Sequence, residues 1–225
     1  MKKAGDGRDS RPRGEGDETQ RERGEIKLER LLAAAAALMA KRGYDQTTIR
    51  DVGRETGFSV AGMYYYFKGK EDLLFQIQQR TFSSLLQEQK IEIARGKNAN
   101  EKLRALIRNH LAFYTRHASE LKVCTFELES IKGDQYDEIE KLRRAYFRLA
   151  AGVVGEHLGS TGMQGAGGRQ IRHITMFIFG MLNWVFLWFE PRKDGSADRL
   201  ADEMVDLVLG GITGIKPQGQ RRKKE

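Results

Sequence analysis

The near absence of proline from the body of the chain limits the possible folds more than any other feature. Pro191 is the only proline between residues 13 and 216 of this 225-residue sequence. Apolar residues recur there at intervals of three and four, as on one face of a helix, with no hairpin signal and no internal repeat. Proline breaks helix interiors, so its scarcity supports the same interpretation. The sequence therefore predicts an all-α protein.

The periodicity predicts about nine helices, several of them followed by a glycine such as Gly43, Gly57 or Gly96. The first three helices form an N-terminal helix-turn-helix domain over residues 25–70, and the others form a larger helical domain over residues 71–215. The predicted helices cover approximately residues 26–42, 48–56, 60–67, 70–95, 100–117, 119–131, 135–158, 169–190 and 197–209.

Both ends of the chain are polar. Residues 1–24 mix Gly, Arg, Glu and Asp with almost no apolar side chain, so we expect a disordered extension. Residues 216–225 contain five basic side chains and one acidic side chain, so we expect a basic disordered tail. This tail supplies half of the formal net charge of +8. The net charge alone is therefore weak evidence for nucleic-acid binding.

Several protein classes are disfavoured by simple features. The single cysteine, Cys124, does not allow a disulfide framework and fits a reducing cytoplasm. The first 25 residues lack the apolar region of a secretory signal. The longest apolar stretch, residues 176–189, is interrupted by Gly180 and Asn183 and is shorter than the roughly 20 residues that a membrane span needs. We expect a cytoplasmic protein without a membrane partner.

The residues that usually carry catalysis form no recognisable constellation. His110 and His117 are seven positions apart, His157 and His173 are isolated, and none lies in a zinc-binding motif. The glycines at 162–168 lack the following Lys-Ser/Thr of a phosphate-binding loop. Cys124 has no nearby histidine and is expected to be a small buried residue. We expect neither an enzyme nor a metal site nor a cofactor.

The most informative segment is residues 48–67, TIRDVGRETGFSVAGMYYYF. Two short helices separated by a turn at Gly57 are typical of a helix-turn-helix motif. Gly57 permits the positive φ of a tight turn, and Ser59 is suited to cap the second helix. The small residues Val60, Ala61 and Gly62 let that helix approach base edges in the DNA major groove.

Three consecutive tyrosines follow these small residues. Tyr64, Tyr65 and Tyr66, with Lys68 and Lys70, offer hydroxyl and ammonium groups to DNA phosphates. The alternative is an aromatic stripe that belongs to the core. Adjacent helical residues point about 100° apart, so three tyrosines in a row cannot all be buried.

Residues 43–74, GYDQTTIRDVGRETGFSVAGMYYYFKGKEDLL, resemble the N-terminal signature of the TetR/AcrR family of bacterial transcriptional repressors. The resemblance implies that Thr48, Tyr64 and Lys70 bind phosphates, and that four other residues lie nearest the bases. Gly62 departs from the family, which usually has Thr, Ala or Ser there. The predicted DNA-binding residues are Thr47, Thr48, Arg50, Ser59, Val60, Ala61, Gly62, Tyr64, Tyr65, Tyr66, Lys68 and Lys70, with Arg50, Val60, Ala61 and Tyr65 nearest the bases.

Members of this family bind palindromic operators as homodimers, so the resemblance implies a dimer surface far from the DNA. The predicted helix at 169–190 is apolar nearly all round, and with the last helix it forms a four-helix interface across a two-fold axis. The alternative is that this helix lies at the centre of a monomeric core. The predicted interface residues are Trp184, Trp188, Met204 and Val208.

The family also implies a small-molecule effector cavity within residues 97–190. A shorter resemblance, over residues 180–184 followed by Trp188 and Phe189, is to a branch that responds to acyl-CoA thioesters; aromatic or drug-like effectors are the alternative. Arg143, Arg144 and Arg148 are suited to CoA phosphates, although a solvated helix face explains them equally well. The predicted effector-binding residues are Phe113, Phe126, Phe147, Met176, Phe179 and Asn183.

Together these features predict a ligand-responsive repressor of a double-stranded DNA operator. Two other functions remain open from the sequence. A membrane-surface protein would use the basic tail, and a non-specific DNA-compacting protein would bind without sequence preference.

Overall fold

A computed structural model of the chain describes residues 15–162 and 166–213. Within this part the regular structure is entirely helical, which confirms the all-α class. A 3₁₀ helix at Leu128–Ser130 joins the sixth and seventh helices. The α-helices are α1 (Glu15–Arg42), α2 (Ile49–Thr56), α3 (Val60–Met63), α4 (Lys70–Arg95), α5 (Ala99–Arg116), α6 (Ala118–Phe126), α7 (Gly133–Ser160), α8 (Gly168–Asn183), α9 (Val185–Trp188), α10 (Pro191–Asp194) and α11 (Ala197–Thr213).

The first helix begins eleven residues earlier than the periodicity predicts, at Glu15 instead of residue 26. The part of the expected disordered extension that covers residues 15–24 is therefore helical. Once the buried second half of α1 is anchored, each further turn fixes few residues for every hydrogen bond gained, so polar residues continue the helix. Residues 1–14 and the predicted tail at 216–225 lie outside the described residues.

The predicted eighth helix is two helices. The backbone at Trp184 has φ −95° and ψ −3°, which ends α8 and separates it from α9. The N–H of Leu187 donates to the carbonyl of Trp184, so the chain continues in a tight turn. Pro191 then opens the one-turn α10, at the start of a helix where proline is tolerated. These short segments account for more helices than the nine that were predicted.

The first four helices share one core. Leu31 and Met39 of α1 pack with Val52 of α2, Met63 of α3 and Leu73 of α4. The same core continues into the second half of the chain through Val123, Ile131 and Ile139. The helix-turn-helix domain is therefore packed directly against α6 and α7, without a flexible linker.

Local capping and a close backbone approach shape the helix-turn-helix motif. Gly57 ends α2 with φ 74°, as the positive-φ prediction requires, and Ser59 Oγ accepts the Gly62 N–H at 3.0 Å. Gly53 has a role that the sequence analysis missed. A Cβ atom there would lie 2.9 Å from the carbonyl oxygen of Phe58 and 2.9 Å from the side chain of Met63. The two short helices therefore pack closely because position 53 has no side chain.

The remaining helices form a second core. Buried residues of α5, α7, α8 and α11 meet there, including Leu106, Val154, Ile178 and Val205. A third cluster joins α4 to α5, α6 and α7. The space between α4, α5, α6, α7 and α8 is not filled completely, which leaves a cavity there.

We expect Gly53→Ala to destabilise the protein by about 1–3 kcal/mol, because the new methyl group overpacks a backbone carbonyl that cannot move aside cheaply. Urea unfolding measures this loss. Gly152→Ala is the matched control, since that glycine is exposed on α7 with no neighbouring atom within 4 Å. The control should be neutral or stabilising by up to about 1 kcal/mol. Equal effects of the two variants would contradict the packing role of Gly53.

Candidate nucleic-acid interface and ligand cavity

The three consecutive tyrosines do not pack inward together. Tyr65 is 86% exposed and Tyr64 is 53% exposed, whereas Tyr66 is half-buried. The rings of Tyr65 and Tyr66 meet edge to face with centroids 5.1 Å apart. Phe67, the next residue, supplies the buried aromatic ring of this segment. The expectation that at least one tyrosine faces solvent agrees with this arrangement.

The start of α3 presents a small, open surface beside these tyrosines. Val60 and Ala61 are exposed, and Gly62 is half-buried. The sequence predicts that α3 continues to residue 67, but the helix ends at Met63. The N–H of Tyr66 then donates to the Met63 carbonyl at 2.9 Å and closes a tight turn. This turn carries Tyr64 and Tyr65 at the exposed end of the helix.

The N-terminus of α2 lies in the same motif and is capped reciprocally. The Thr48 hydroxyl donates to the Asp51 carboxylate at 2.6 Å, and the Asp51 N–H donates back to that hydroxyl at 3.2 Å. The hydrogen bonds from the Thr48 side chain and backbone lower the pKa of Asp51 below its ordinary value. Thr48 and Arg50 are both exposed. The side chain of Arg50 makes no hydrogen bond or ion pair with the described residues.

Thr47 does not fit its predicted role as a DNA-binding residue. Its side chain is 1% exposed, and its hydroxyl donates to the Gly43 carbonyl at 2.8 Å. This hydrogen bond closes the connection between α1 and α2. Thr47 therefore stabilises the entry to α2 instead of offering a hydroxyl to a phosphate. The sequence did not separate it from Thr48, because only the packing of the folded chain decides which of two adjacent threonines is buried.

The two lysines between α3 and α4 are placed differently. Lys68 is exposed, and its backbone N–H donates to the Asp72 carboxylate at 2.7 Å. The Lys70 ammonium donates to the Asp45 carbonyl at 3.2 Å and lies 4.1 Å from the centre of the Tyr44 ring. These contacts hold a positive charge at a fixed place beside the tyrosines.

A cavity of about 690 Å³ lies among α4, α5, α6, α7 and α8. Four of the six predicted effector-binding residues line it: Phe147, Met176, Phe179 and Asn183. The other lining residues are Phe82, Leu85, His110, Tyr114, Leu121, Cys124, Thr125, Glu140, Arg143, Arg144, Tyr146, Arg148, Gly180 and Trp184.

The other two predicted effector residues do not line this cavity. Phe113 is 1% exposed and lies at a separate cavity of about 410 Å³ between α1 and α4. Phe126 is 51% exposed and meets Trp184 and Phe186 edge to face. Both lie on helices that border the cavity, but their side chains point elsewhere, which periodicity alone did not resolve.

A polar cluster that the sequence analysis missed lies in the cavity wall. The Nδ1 atom of His110 lies 2.7 Å from the Tyr146 hydroxyl, and the Tyr114 hydroxyl donates to Asn183 Oδ1 at 3.0 Å. Burial lowers the pKa of His110 to about 3, although an interaction with Asn183 opposes this, so the ring is neutral. Burial raises the pKa of Tyr114 and of Tyr146 above their ordinary values, so both keep their protons. Asn183 thus has the partner that an amide in an apolar helix requires.

Arginines of α7 line the same cavity. Glu140 forms ion pairs with Arg143 at 3.3 Å and with Arg144 at 3.4 Å. Arg148 is exposed, and its side chain has no ion-pair or hydrogen-bond partner in the described part of the chain. The cavity therefore combines aromatic walls with positive charge.

Several large apolar side chains of α8, α9 and α11 and of the residue between α8 and α9 are exposed, and we call this set the apolar surface. Phe177 is 68% exposed and Leu207 is 65% exposed, and the predicted residues Trp184 and Trp188 are each about half exposed. Met204 and Val208 do not belong to it. They are 8% and 5% exposed and pack into this chain's own core, because α11 turns that side toward α5.

One helical stretch, Gly168–Trp188, is long and apolar enough to cross a membrane, by length and composition only. Of its apolar 18-residue segment, 28% is buried within the chain. Core helices of proteins that do not enter membranes meet the same criterion. Among the described residues, no group of three or more His, Cys, Asp or Glu side chains is arranged to hold a metal ion. Burial raises the pKa of the Cys124 thiol to about 12.

Two family models match this chain. The one described as "Tetracyclin repressor-like, C-terminal domain" covers residues 96–212, and the one described as "Bacterial regulatory proteins, tetR family" covers residues 31–77. The chain belongs to the TetR family. Its fold and its helix-turn-helix motif are those of a DNA-binding transcriptional regulator, not of an enzyme.

Individual relatives support this membership. The "Fatty acid metabolism regulator protein" of Bacillus subtilis (strain 168) is 22% identical over 187 residues, 83% of this chain and 95% of the relative. A TetR-family regulator from Bordetella parapertussis 12822 has a TM-score of 0.74 at 25% identity, covering 84% of this chain and 97% of its own. AibR "in complex with isovaleryl coenzyme A and operator DNA" has a TM-score of 0.71 at 22% identity, covering 80% and 97%.

The buried, neutral His110 predicts a pH dependence of stability. Its pKa is about 3 in the folded chain against an ordinary value of 6.5, so the unfolded chain takes up the proton first as the pH falls. The stabilisation is complete above about pH 6.5 and is lost toward pH 3, with a slope of up to about 1.4 kcal/mol per pH unit.

Urea unfolding at several pH values between these limits measures the slope. We expect His110→Phe to have a shallower slope than the wild type by the contribution of one proton. His173→Phe is the control at an exposed histidine and should keep the wild-type slope. An unchanged slope in His110→Phe would show that the pKa of His110 is not lowered in the folded chain.

Proposed function

We propose that this protein is a cytoplasmic, ligand-responsive repressor that binds a palindromic operator as a homodimer and releases it when an acyl-CoA thioester enters the cavity. The observation that carries the proposal is the position of α6. This helix lines the cavity with Leu121, Cys124 and Thr125. Val123, a residue of the same helix, packs in the core of the helix-turn-helix domain.

The exposed end of α3 is the proposed base-reading element. Val60, Ala61 and Tyr65 project from it and, with Arg50 of α2, would lie nearest the base edges in the major groove. Thr48, Tyr64 and Lys70 would bind phosphates on either side. Ser59, Gly62, Tyr66 and Lys68 complete the proposed surface, in which Ser59 and Gly62 also fix the N-terminus of α3.

The apolar surface is the proposed contact between the two copies. Exposed Phe177, Trp184 and Leu207 are unfavourable in water, and a two-fold axis lets one patch cover itself on a second chain. Two copies of α8 and α11 would then form a four-helix interface. Two reading elements at a fixed separation match two half-sites of a palindrome.

The cavity supports an amphipathic effector. Its aromatic walls suit an acyl chain, and Arg143, Arg144 and Arg148 suit the phosphates of coenzyme A. Two similar proteins, a fatty acid metabolism regulator and AibR in complex with isovaleryl coenzyme A, point to the same ligand class.

Hydrogen bonds beyond α6 connect the cavity to the DNA-binding domain. The Tyr44 N–H, between α1 and α2, donates to Glu127 Oε1 at 3.3 Å, and the Gln78 amide of α4 donates to the Glu127 carbonyl at 3.2 Å. Glu127 directly follows α6. A ligand that displaces α6 would therefore shift both the entry to α2 and the part of α4 around Gln78.

Tyr65→Ala should weaken binding to the cognate operator at least about tenfold, because it removes a base-proximal contact, while leaving the dimer intact. The operator is first selected from random duplex DNA, and affinity is measured by fluorescence anisotropy. Leu207→Asp is the complementary variant. It should be monomeric in analytical ultracentrifugation and lose the operator because one half-site alone is bound weakly.

Two outcomes contradict this part of the proposal. Unchanged operator affinity in Tyr65→Ala would remove α3 as the reading element. Failure of the wild type to select any sequence, with binding that falls steeply with salt, would instead favour non-specific DNA binding.

Acyl-CoA thioesters should raise the melting temperature of the wild type and release the labelled operator. Arg148→Glu should weaken acyl-CoA binding about tenfold or more, because it places a negative charge beside the CoA phosphates. Lys90→Glu, the same charge reversal at an exposed position of α4 away from the cavity, should bind like the wild type. Stabilisation by free aromatic acids or hydrophobic drugs and by no thioester would assign the cavity to the alternative effectors.

A further inference from the structure

One polar atom in the cavity wall has no hydrogen-bond partner among the described residues. It is Nε2 of His110, in a side chain that is 2% exposed and lines the cavity. The ring is held on its faces, since it stacks with Tyr114 at a centroid distance of 4.5 Å and with Phe179 at 5.9 Å. A buried polar atom left unpaired is costly, so this position favours a ligand that supplies the missing partner.

The neighbouring hydrogen bonds determine what Nε2 offers. The Tyr146 hydroxyl donates to Gln89 Oε1 at 3.4 Å, and its oxygen lies 2.7 Å from His110 Nδ1. A hydroxyl has one proton, so both contacts are satisfied only when Nδ1–H donates to Tyr146. In this neutral tautomer Nε2 is a hydrogen-bond acceptor. Gln89 is oriented for its role because Oε1 also accepts from the Asn109 amide at 3.1 Å.

Asn183 supplies the opposite function in the same wall. Its Oδ1 accepts the Tyr114 hydroxyl at 3.0 Å, which leaves the two amide protons on Nδ2 as donors. These protons donate to no atom within hydrogen-bond distance in the part of the chain that the structure describes, although Asn183 lies near enough to the His110 ring to oppose the lowering of its pKa. Tyr114 links the two residues, since it stacks on His110 and bonds to Asn183. The wall therefore presents one acceptor and one donor close together.

We propose that His110 and Asn183 form a subsite for a hydroxyl group of the effector, so that the preferred effectors are hydroxyacyl thioesters. A hydroxyl donates to Nε2 of His110 and accepts from Nδ2 of Asn183. A ketone or thioester carbonyl only accepts, and a methylene group does neither, so each leaves Nε2 unpaired. The inference rests on the proposed function, in which this cavity holds an acyl-CoA thioester.

The test is isothermal titration of the full-length protein with straight-chain acyl-CoA thioesters and their hydroxy and keto derivatives of equal chain length. The hydroxyl is placed in turn at the β and ω positions. One hydroxylated series should bind the wild type at least about tenfold tighter than the unsubstituted series, because a site built for a hydroxyl rejects the analogue that lacks it. The keto series should show no such gain.

Two variants and one control locate the preference. His110→Phe keeps a ring between Tyr114 and Phe179 but has no nitrogen, and Asn183→Leu removes the donor. Each should bind hydroxylated and unsubstituted thioesters with affinities equal to within about twofold. Thr125→Val is the control, since Thr125 lines the cavity but its hydroxyl already donates to the Leu121 carbonyl at 2.8 Å. It should keep the hydroxyl preference.

The outcomes separate this inference from the proposed function. Equal binding of hydroxylated and unsubstituted thioesters to the wild type overturns the subsite and leaves the acyl-CoA proposal standing. A preference that survives in both variants also overturns the subsite. Failure of every thioester to bind overturns the proposed effector and this inference with it. If His110→Phe does not fold, Asn183→Leu decides the question.

Discussion

The packing of α6 is the constraint on which the rest of the structure depends. Val123 is 1% exposed in the core that contains Leu31 and Met39, whereas Leu121 and Cys124 line the cavity. One nine-residue helix thus has one side in the core of the helix-turn-helix domain and the other at the cavity. Protein interiors are densely packed, so a displacement of such a helix is passed to its neighbours instead of being absorbed. The helix-turn-helix domain also packs directly against α6 and α7, so a displacement of these helices is passed to it.

The cavity joins two environments that suit different parts of one molecule. Its inner wall keeps His110 neutral and both tyrosines protonated, because burial disfavours every charged form there. The arginines of α7 also line it, and Arg148 remains exposed. An amphipathic ligand with a charged head matches this division. The neutral wall can then discriminate among ligand tails only by hydrogen bonding and shape. The Nε2 atom of His110, which has no partner among the described residues, can contribute to this discrimination.

The helix-turn-helix motif was predictable because its signals are local. The Gly57 turn and the Ser59 cap each depend on residues within three or four positions. The predictions failed where a distant partner decides. Thr47 and Thr48 look alike in sequence, but only Thr47 is buried in the folded chain. In the sequence, Gly53 looks like any other glycine within a helix. Only the closeness of its backbone to the Phe58 carbonyl oxygen shows why a side chain does not fit there.

The sequence by itself determined the helical class, the position of the helix-turn-helix motif and the family, since periodicity, caps and motif residues are properties of short segments. Tertiary structure alone decided which side of each apolar helix faces a cavity, a core or solvent. Phe179 lines the large cavity and Phe113 does not, and α11 exposes Leu207 while it buries Met204 and Val208. Periodicity shows that a helix has an apolar face, but the neighbour that covers this face is set by how distant helices pack together.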